Sequence, residues 1–241
     1  MSRRWKTLAL CVSVLLASAG CDAAQPGAAP NGFVPRYEEP APGDAAGARF
    51  LRERRLPERA ADVLNAYLTL PYTVTVLARS CAGEGSGYDP DTRRIELCYD
   101  DLAEERELVT ADGEVADVMT ETLYHEAGHA LVDALDLPVG GDRAEEDAAD
   151  RFAALMLIRQ GPDGERGLRT AAEAYARTPP DPGAGRDEHA PPAARAAAHL
   201  CLLHGAAPER HPDLADRTRG CTPTWPQARD AWTRDLAPLL R

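Results

Sequence analysis

The HExxH sequence His125-Glu126-Ala127-Gly128-His129 constrains this chain more than any other stretch. Histidines four residues apart lie one above the other on a helix face, so both imidazoles can reach the same ion. Glu126 is offset around the helix and leans over the open side of that ion. Two neutral imidazoles, a third ligand from elsewhere and a carboxylate beside a water are the arrangement of a zinc hydrolase.

The residues around the motif predict one amphipathic helix from about residue 116 to about residue 136. Apolar residues recur there at intervals of three and four, which places a stripe against a core; they are Val118, Leu123, Ala127, Ala130, Leu131, Ala134 and Leu135. The helix ends before the Pro and Gly residues of 137–141. Gly128 costs about 1 kcal/mol of helix propensity relative to alanine, so we expect something to pass close to the helix beside the metal.

The third metal ligand is predicted from a second helix that opens with residues 145–150, EEDAAD. Glu146 and Asp150 are four residues apart and share a face, so we expect Glu146 to bind the ion and Asp150 to accept the ring N–H of a ligating histidine. Glu145 is the competing ligand. Either carboxylate has the alternative role of an acidic first turn that complements the helix dipole.

The segment HEAGHALVDALDLPVGG, followed by EEDAADRFA, resembles the zincin-type family described as "putative metallopeptidase". The likeness covers most of the chain from about residue 50. It extends to Leu64-Asn65 with Leu70-Pro71, to Tyr88-Asp89-Pro90 with residues 95–99, and to Asp187-Glu188-His189. The resemblance implies a zinc metallopeptidase-like domain.

The resemblance also makes His189 a candidate catalytic donor to the oxyanion. The polar residues expected a few positions later are alanines in this chain, Ala194 and Ala198. A surface or capping role for His189 is therefore the alternative.

The remaining pattern predicts an α+β fold of zincin-like type. Residues 73–78 and 94–99 alternate as strands, and residues 49–70 predict a helix that restarts at Pro57. We expect a small N-terminal sheet or hairpin packed on the HExxH helix, with the strand at 94–99 as an exposed edge that holds an extended peptide. A mostly helical C-terminal half follows, with helices at 165–177, 193–204 and 226–240.

The first twenty residues predict an export signal, with a basic start, an apolar run and a small-residue end. Cys21 follows Gly20 as in a bacterial lipobox, which predicts a lipidated cysteine and a membrane-anchored lipoprotein of the cell envelope. Ordinary cleavage near Ala19 is the alternative. Residues 21–47, rich in Ala, Pro and Gly, are interpreted as the lipidation site and a flexible tether, and residues 48–241 as the metallopeptidase domain.

Four of the six cysteines lie beyond the leader and Cys21. An exported chain with four cysteines predicts two disulfides. We expect Cys81 to pair with Cys98 across a hairpin and Cys201 to pair with Cys221 in a C-terminal loop, although four cysteines permit three pairings.

The formal net charge of −12 argues against nucleic acid as a partner. The predicted function is hydrolysis of peptide bonds in a peptide or protein substrate, with a zinc-activated water and Glu126 as general base. The alternative is a catalytically silent or latent zinc-binding envelope lipoprotein that acts as a binding or scaffold module. Glu126 favours hydrolysis, because a purely structural zinc site does not need it.

Overall fold

The computed structural model describes residues 31–179 and 189–241, which form eight α-helices and a four-stranded sheet. The predicted α+β class is confirmed. The export signal, Cys21, Asp187 and Glu188 lie outside the described residues. The elements are β1 (Gly32–Tyr37), α1 (Ala45–Arg54), α2 (Leu56–Tyr67), β2 (Thr73–Arg79), β3 (Gly87–Asp89), β4 (Arg94–Cys98), α3 (Asp101–Leu108), α4 (Asp112–Ala134), α5 (Asp142–Ile158), α6 (Pro162–Arg177), α7 (Pro192–Ala206) and α8 (Trp225–Asp235).

The sheet has the strand order β1-β2-β4-β3. Strands β1, β2 and β4 run parallel, and β3 pairs antiparallel with β4. The prediction that residues 94–99 form the exposed edge is wrong, because β4 lies between β2 and β3. The edge is β3, which has three residues. A strand this short shows too little alternation to separate it from the Gly-rich turn before it.

The first strand lies inside the segment that was predicted to be a tether. Phe33 and Val34 of β1 are buried, and β1 pairs with β2 over its whole length. The side chain of Asn65 holds Phe33 from both sides: its Oδ1 accepts from the Phe33 N–H at 2.9 Å, and its Nδ2 donates to the Phe33 carbonyl at 2.8 Å. The expectation is therefore corrected for residues 32–37. Two buried residues followed by Pro35 give no readable period.

Helix α4 is the element around which the others pack, and it contacts α2, α3, α5, α6, β3 and β4. Its buried residues include Val115, Leu123, Ala127 and Leu131. Helices α5 to α8 form the predicted helical C-terminal half. None of the described helices combines the length and the hydropathy that crossing a bilayer requires.

Both predicted disulfides are confirmed. Cys81 is bonded to Cys98 and Cys201 to Cys221. The first bond does not close a hairpin, as was expected, because β2 and β4 are parallel neighbours and the bond joins their carboxyl ends. The second bond ties α7 to the segment before α8.

Helices α4 and α5 approach most closely at Gly128, inside the HExxH motif. A Cβ atom on Gly128 would lie 2.8 Å from the Cα atom of Ala149 and 3.1 Å from its Cβ atom. Real Cβ atoms do not come this close to backbone, so only glycine fits here without moving α5. What passes beside the helix, as the sequence predicted, is α5.

Gly128→Ala is expected to destabilise the fold by about 1–3 kcal/mol, because the added methyl group overpacks the crossing of α4 and α5. Gly113→Ala on the same helix is the matched control, since a Cβ there meets nothing within 4 Å. Thermal unfolding of both variants checks this. Equal midpoints for the two variants would show that α5 moves freely away from α4.

Candidate metal centre

Three side chains from α4 and α5 converge on one point. The Nε2 atoms of His125 and His129 are 3.1 Å apart. The Glu146 carboxylate lies against both, with Oε2 3.1 Å from His125 Nε2 and Oε1 3.4 Å from His129 Nε2. His125 and Glu146 are buried and His129 is half-buried, so this group of three donors could hold a metal ion.

The outer nitrogen of each imidazole is held by a second carboxylate. His125 Nδ1 lies 2.9 Å from Asp150 Oδ1, and His129 Nδ1 lies 2.9 Å from Glu145 Oε1. An ionised carboxylate only accepts, so each Nδ1 carries a hydrogen, and Nε2 is then the atom through which a neutral imidazole could bind a metal. The two glutamates that competed in the sequence therefore occupy different places. Glu146 faces the inner nitrogens, and Glu145 lies behind His129.

The charges in this cluster shift the ionisation of its members strongly. Burial lowers the pKa of His125, but hydrogen bonds to Asp150 and Glu146 outweigh burial and raise its pKa to about 10. Burial acts to raise the pKa of Glu146, but bonds to His125, His129 and His189 hold it well below its usual range. The carboxylates around the imidazoles therefore favour positive charge in this pocket.

Arg195 of α7 anchors the carboxylate behind His125, and sequence reasoning missed it. Its guanidinium donates to both oxygens of Asp150, with Nε 2.9 Å from Oδ2. The same guanidinium lies over the ring of Tyr175, 4.2 Å from its centroid. A two-pronged bond of this kind fixes the carboxylate plane, and thereby the orientation of the His125 ring.

A second buried group of polar side chains lies next to this anchor. Glu121 is fully buried, and it accepts from the Tyr175 hydroxyl at 2.9 Å and contacts His199 Nε2 at 2.8 Å. His199 is therefore a core histidine, with no exposed surface. The roles of Arg195 and His199 could have been predicted from their spacing. The two residues are four positions apart in a run of alanines, which places both on one face of α7.

Glu126 and His189 lie beside the three donors. Glu126 is 7% exposed, and no described group donates a hydrogen bond to its carboxylate. Burial raises the pKa of Glu126, and the two imidazoles of the motif oppose the rise. His189 has its Nε2 2.8 Å from Glu146 Oε2 and remains 40% exposed. Its ring stacks on His125, with centroids 5.8 Å apart.

The donors open into a cleft of about 620 Å³. One wall is the edge strand β3 with the residues around it, and the other is the end of α4 with the start of α5. Glu126, His129 and Glu146 form the floor, and His189 borders it. Tyr124, by contrast, is buried and accepts a hydrogen bond from Gln160, so it belongs to the packing.

A second cavity of about 360 Å³ lies on the other side of His189 and Arg195. Glu105 of α3 lines it, with a buried oxygen that has no hydrogen-bond partner among the described residues. Burial, and then the nearby charges of Asp101 and Glu121, raise the pKa of Glu105 to about 7.

Comparison with known proteins returns one family. The model of the family described as "Putative metallopeptidase" matches residues 37–236. No curated protein and no solved structure matches the chain.

Asp150→Asn is expected to weaken binding of a divalent metal by about 10–100-fold, because an amide holds the His125 N–H less firmly than a carboxylate. Asp147→Asn, one turn earlier on α5 and without a partner in this cluster, is the matched control and should bind metal like the wild type. Competition with a chelating dye measures both. An unchanged affinity for Asp150→Asn would mean that Asp150 does not orient His125.

Glu105→Gln is expected to flatten the pH dependence of stability. A carboxyl whose pKa rises on folding, here from 4.5 to about 7, binds its proton more tightly in the folded state. The stabilising contribution of the Glu105 carboxyl is therefore fully present below pH 4.5 and is lost as the pH rises through about 7. Glu105→Gln should be more stable than the wild type by about 1–3 kcal/mol above that range and equal to it below. Urea unfolding over the range checks this, and exposed Glu107→Gln on the same helix, whose charge is not among those that raise the pKa of Glu105, is the control.

Proposed function

The chain belongs to the family described as "Putative metallopeptidase", and from this membership we propose that it hydrolyses peptide bonds with a bound zinc ion. The observation that carries the proposal is the convergence of His125, His129 and Glu146 beside the carboxylate of Glu126, which has no hydrogen-bond partner among the described residues. The family description suggests the reaction class, and the cluster offers a residue for each role in that reaction.

The donor set fits zinc in type, and its spacing is within a few tenths of an ångström of what zinc needs. Zinc accepts imidazole nitrogen and carboxylate oxygen, and donors about 2.0–2.2 Å from one tetrahedral ion lie roughly 3.3–3.6 Å from each other. The three separations here are 3.1 Å, 3.1 Å and 3.4 Å. His125, His129 and Glu146 would hold the ion. When bound, it would polarise the scissile carbonyl and lower the pKa of a water to about 7.

Glu126 is the proposed general base. Its carboxylate lines the cleft next to the three donors and is buried without a hydrogen-bond partner among the described residues, so it is free to accept a proton from the attacking water. The same carboxyl then donates that proton to the leaving amine. No other described carboxylate at the floor of the cleft has this freedom, because Glu146 faces the imidazoles and Glu145 holds His129.

His189 is the proposed donor to the oxyanion. It borders the cleft, its Nε2 reaches the floor at Glu146, and its half-exposed side chain can turn towards a substrate. A donor aimed at the developing negative charge is worth about 3 kcal/mol in enzymes of known mechanism. In this proposal Glu126 handles the proton of the attacking water, and His189 donates a hydrogen bond to the carbonyl oxygen of the scissile bond.

The edge strand β3 is the proposed binding site for the substrate main chain, in a zincin-like arrangement. The outer side of β3 is unpaired in the described sheet, and Gly87 and Tyr88 line the cleft. An extended peptide that adds to this edge would pass over the floor of the cleft.

We also propose that the domain acts outside the cytoplasm, tethered through a lipid on Cys21, with no nucleic acid partner. The two disulfides support an oxidising compartment. The tether would then end before Gly32, where β1 begins.

Glu126→Gln is expected to lower the rate of peptide cleavage by about 10²–10⁴-fold, because the amide cannot accept a proton. Zinc content and thermal stability should stay near those of the wild type, since Glu126 is not one of the three donors. Cleavage of a mixed peptide library, with and without a chelator, measures the loss. Equal chelator-resistant cleavage by both proteins would identify a contaminant. A folded, zinc-loaded wild type that cleaves nothing would favour the silent zinc-binding module.

A further inference from the structure

The carboxyl end of α4 is acidic, where helix physics favours basic residues. The last turn of a helix carries partial negative charge, which lysine or arginine stabilises by about 0.3–1 kcal/mol each. The last turn of α4 has no basic residue. It carries Asp133 instead, and Asp136 lies two residues beyond the last helical residue, Ala134. Carboxylates at this position cost stability, which suggests that they serve the cleft they face.

The same acidic character runs along the whole wall of the cleft. Besides the floor, the cleft is lined by Asp133, Asp136, Asp142 and Glu145, and no lysine or arginine of the described residues lines it. Asp133 accepts a hydrogen bond from the Tyr88 hydroxyl at 2.8 Å, and Glu145 holds His129. Asp136 and Asp142 are exposed, and no described group pairs with their carboxylates. Two charges are therefore free to meet a ligand.

A zinc ion would not neutralise this wall. Its two positive charges would be offset by Glu146 and Glu126, which lie at the floor. Glu126 is only 7% exposed, lines the cleft and has no hydrogen-bond partner among the described residues, which points to a ligand in the cleft. The wall charges remain for the side chains of that ligand, and the edge strand β3 lies opposite them.

We propose that the cleft selects peptides with lysine or arginine side chains next to the scissile bond, and that Asp136 and Asp142 recognise those side chains. The proposal rests on the proposed function, because it names the substrate class of the same site. A cationic side chain that extends from a peptide on β3 would cross the cleft to the acidic wall. The carboxylates of Asp136 and Asp142 attract a cationic side chain more strongly here than on an open surface, because the cleft walls exclude part of the solvent.

The test compares three sets of peptides of equal length, with Lys and Arg, with neutral residues, or with Glu around the scissile bond. The zinc-loaded full chain should cleave the basic set with a kcat/KM about 10-fold or more above the neutral set, and the acidic set least. Raising the salt from about 50 mM to about 500 mM should reduce this preference, because the wall is exposed to solvent.

The double variant Asp136→Asn/Asp142→Asn should reduce the preference for basic peptides by about 10-fold, or about 3-fold for each carboxylate. Asparagine keeps the side-chain shape, and it tolerates the left-handed backbone of Asp136, whose φ is +48°. Asp62→Asn/Glu209→Gln removes two exposed charges that do not line the cleft, and it should keep the wild-type preference.

Thermal unfolding separates recognition from a structural role. Asp136→Asn should hold the melting temperature or raise it by about 1–3 °C, because it removes a negative charge from the carboxyl end of α4. Loss of the preference together with an unchanged or higher melting temperature supports the proposal. If the preference for basic peptides is lost and the melting temperature falls with it, the aspartates act structurally and the proposal is overturned.

The outcome also separates this inference from the proposed function. Equal cleavage of all three sets, or a preference that the double variant retains, overturns the inference and leaves the peptidase standing. Should the wild type cleave none of them, binding of the labelled peptides to zinc-loaded Glu126→Gln decides. Binding of basic peptides alone, lost in the double variant, supports the acidic wall, and equal or absent binding overturns it.

Discussion

The contact between Gly128 and Ala149 is the constraint on which the candidate site depends. Two helices that each carry ligands can share one ion only if their backbones come close, and here neither side chain at the crossing is larger than a methyl group. The crossing sets the distance from the Glu146 carboxylate to the two imidazoles of α4. It also aligns Asp150 behind His125 and Glu145 behind His129. One small residue thus fixes the positions of five polar side chains.

The helical C-terminal half holds this arrangement from behind. Arg195 of α7 donates hydrogen bonds to Asp150, and its guanidinium lies over the ring of Tyr175 of α6. The Tyr175 hydroxyl in turn donates a hydrogen bond to Glu121 on α4. Ligand helix, anchoring helix and supporting helix are therefore joined by one chain of buried polar contacts. Buried groups of this kind are costly unless all of them are bonded, and once bonded they fix one geometry.

The sequence predicted the elements in which polar residues recur at helical spacing. It did not predict the elements and contacts that depend on residues far apart in the chain. The HExxH spacing and the four-residue step from Glu146 to Asp150 placed both ligand helices, because helical geometry alone brings those residues to one face. The strand β3 and the role of Arg195 were not predictable in the same way. A three-residue strand has no period, and the bond from Arg195 to Asp150 joins residues 45 positions apart. β1 was missed because its sequence has no period. Long-range contacts hold it in place, namely its pairing with β2 and the bonds from Asn65.

The charge balance of the buried centre connects the fold to the proposed ion. Glu126, Glu146 and Asp150 are buried at the candidate site, and Arg195 pairs with Asp150. With neutral imidazoles and ionised carboxylates, Glu126 and Glu146 then leave two negative charges that no described guanidinium pairs with, in a poorly solvated place, which is expensive. Without an ion the imidazoles must take up protons, and the raised pKa of His125 reflects that demand. A divalent cation satisfies the same demand with charge to match. It would also keep both Nε2 atoms unprotonated, so the buried negative charge that destabilises this centre is also what would make it bind a divalent cation.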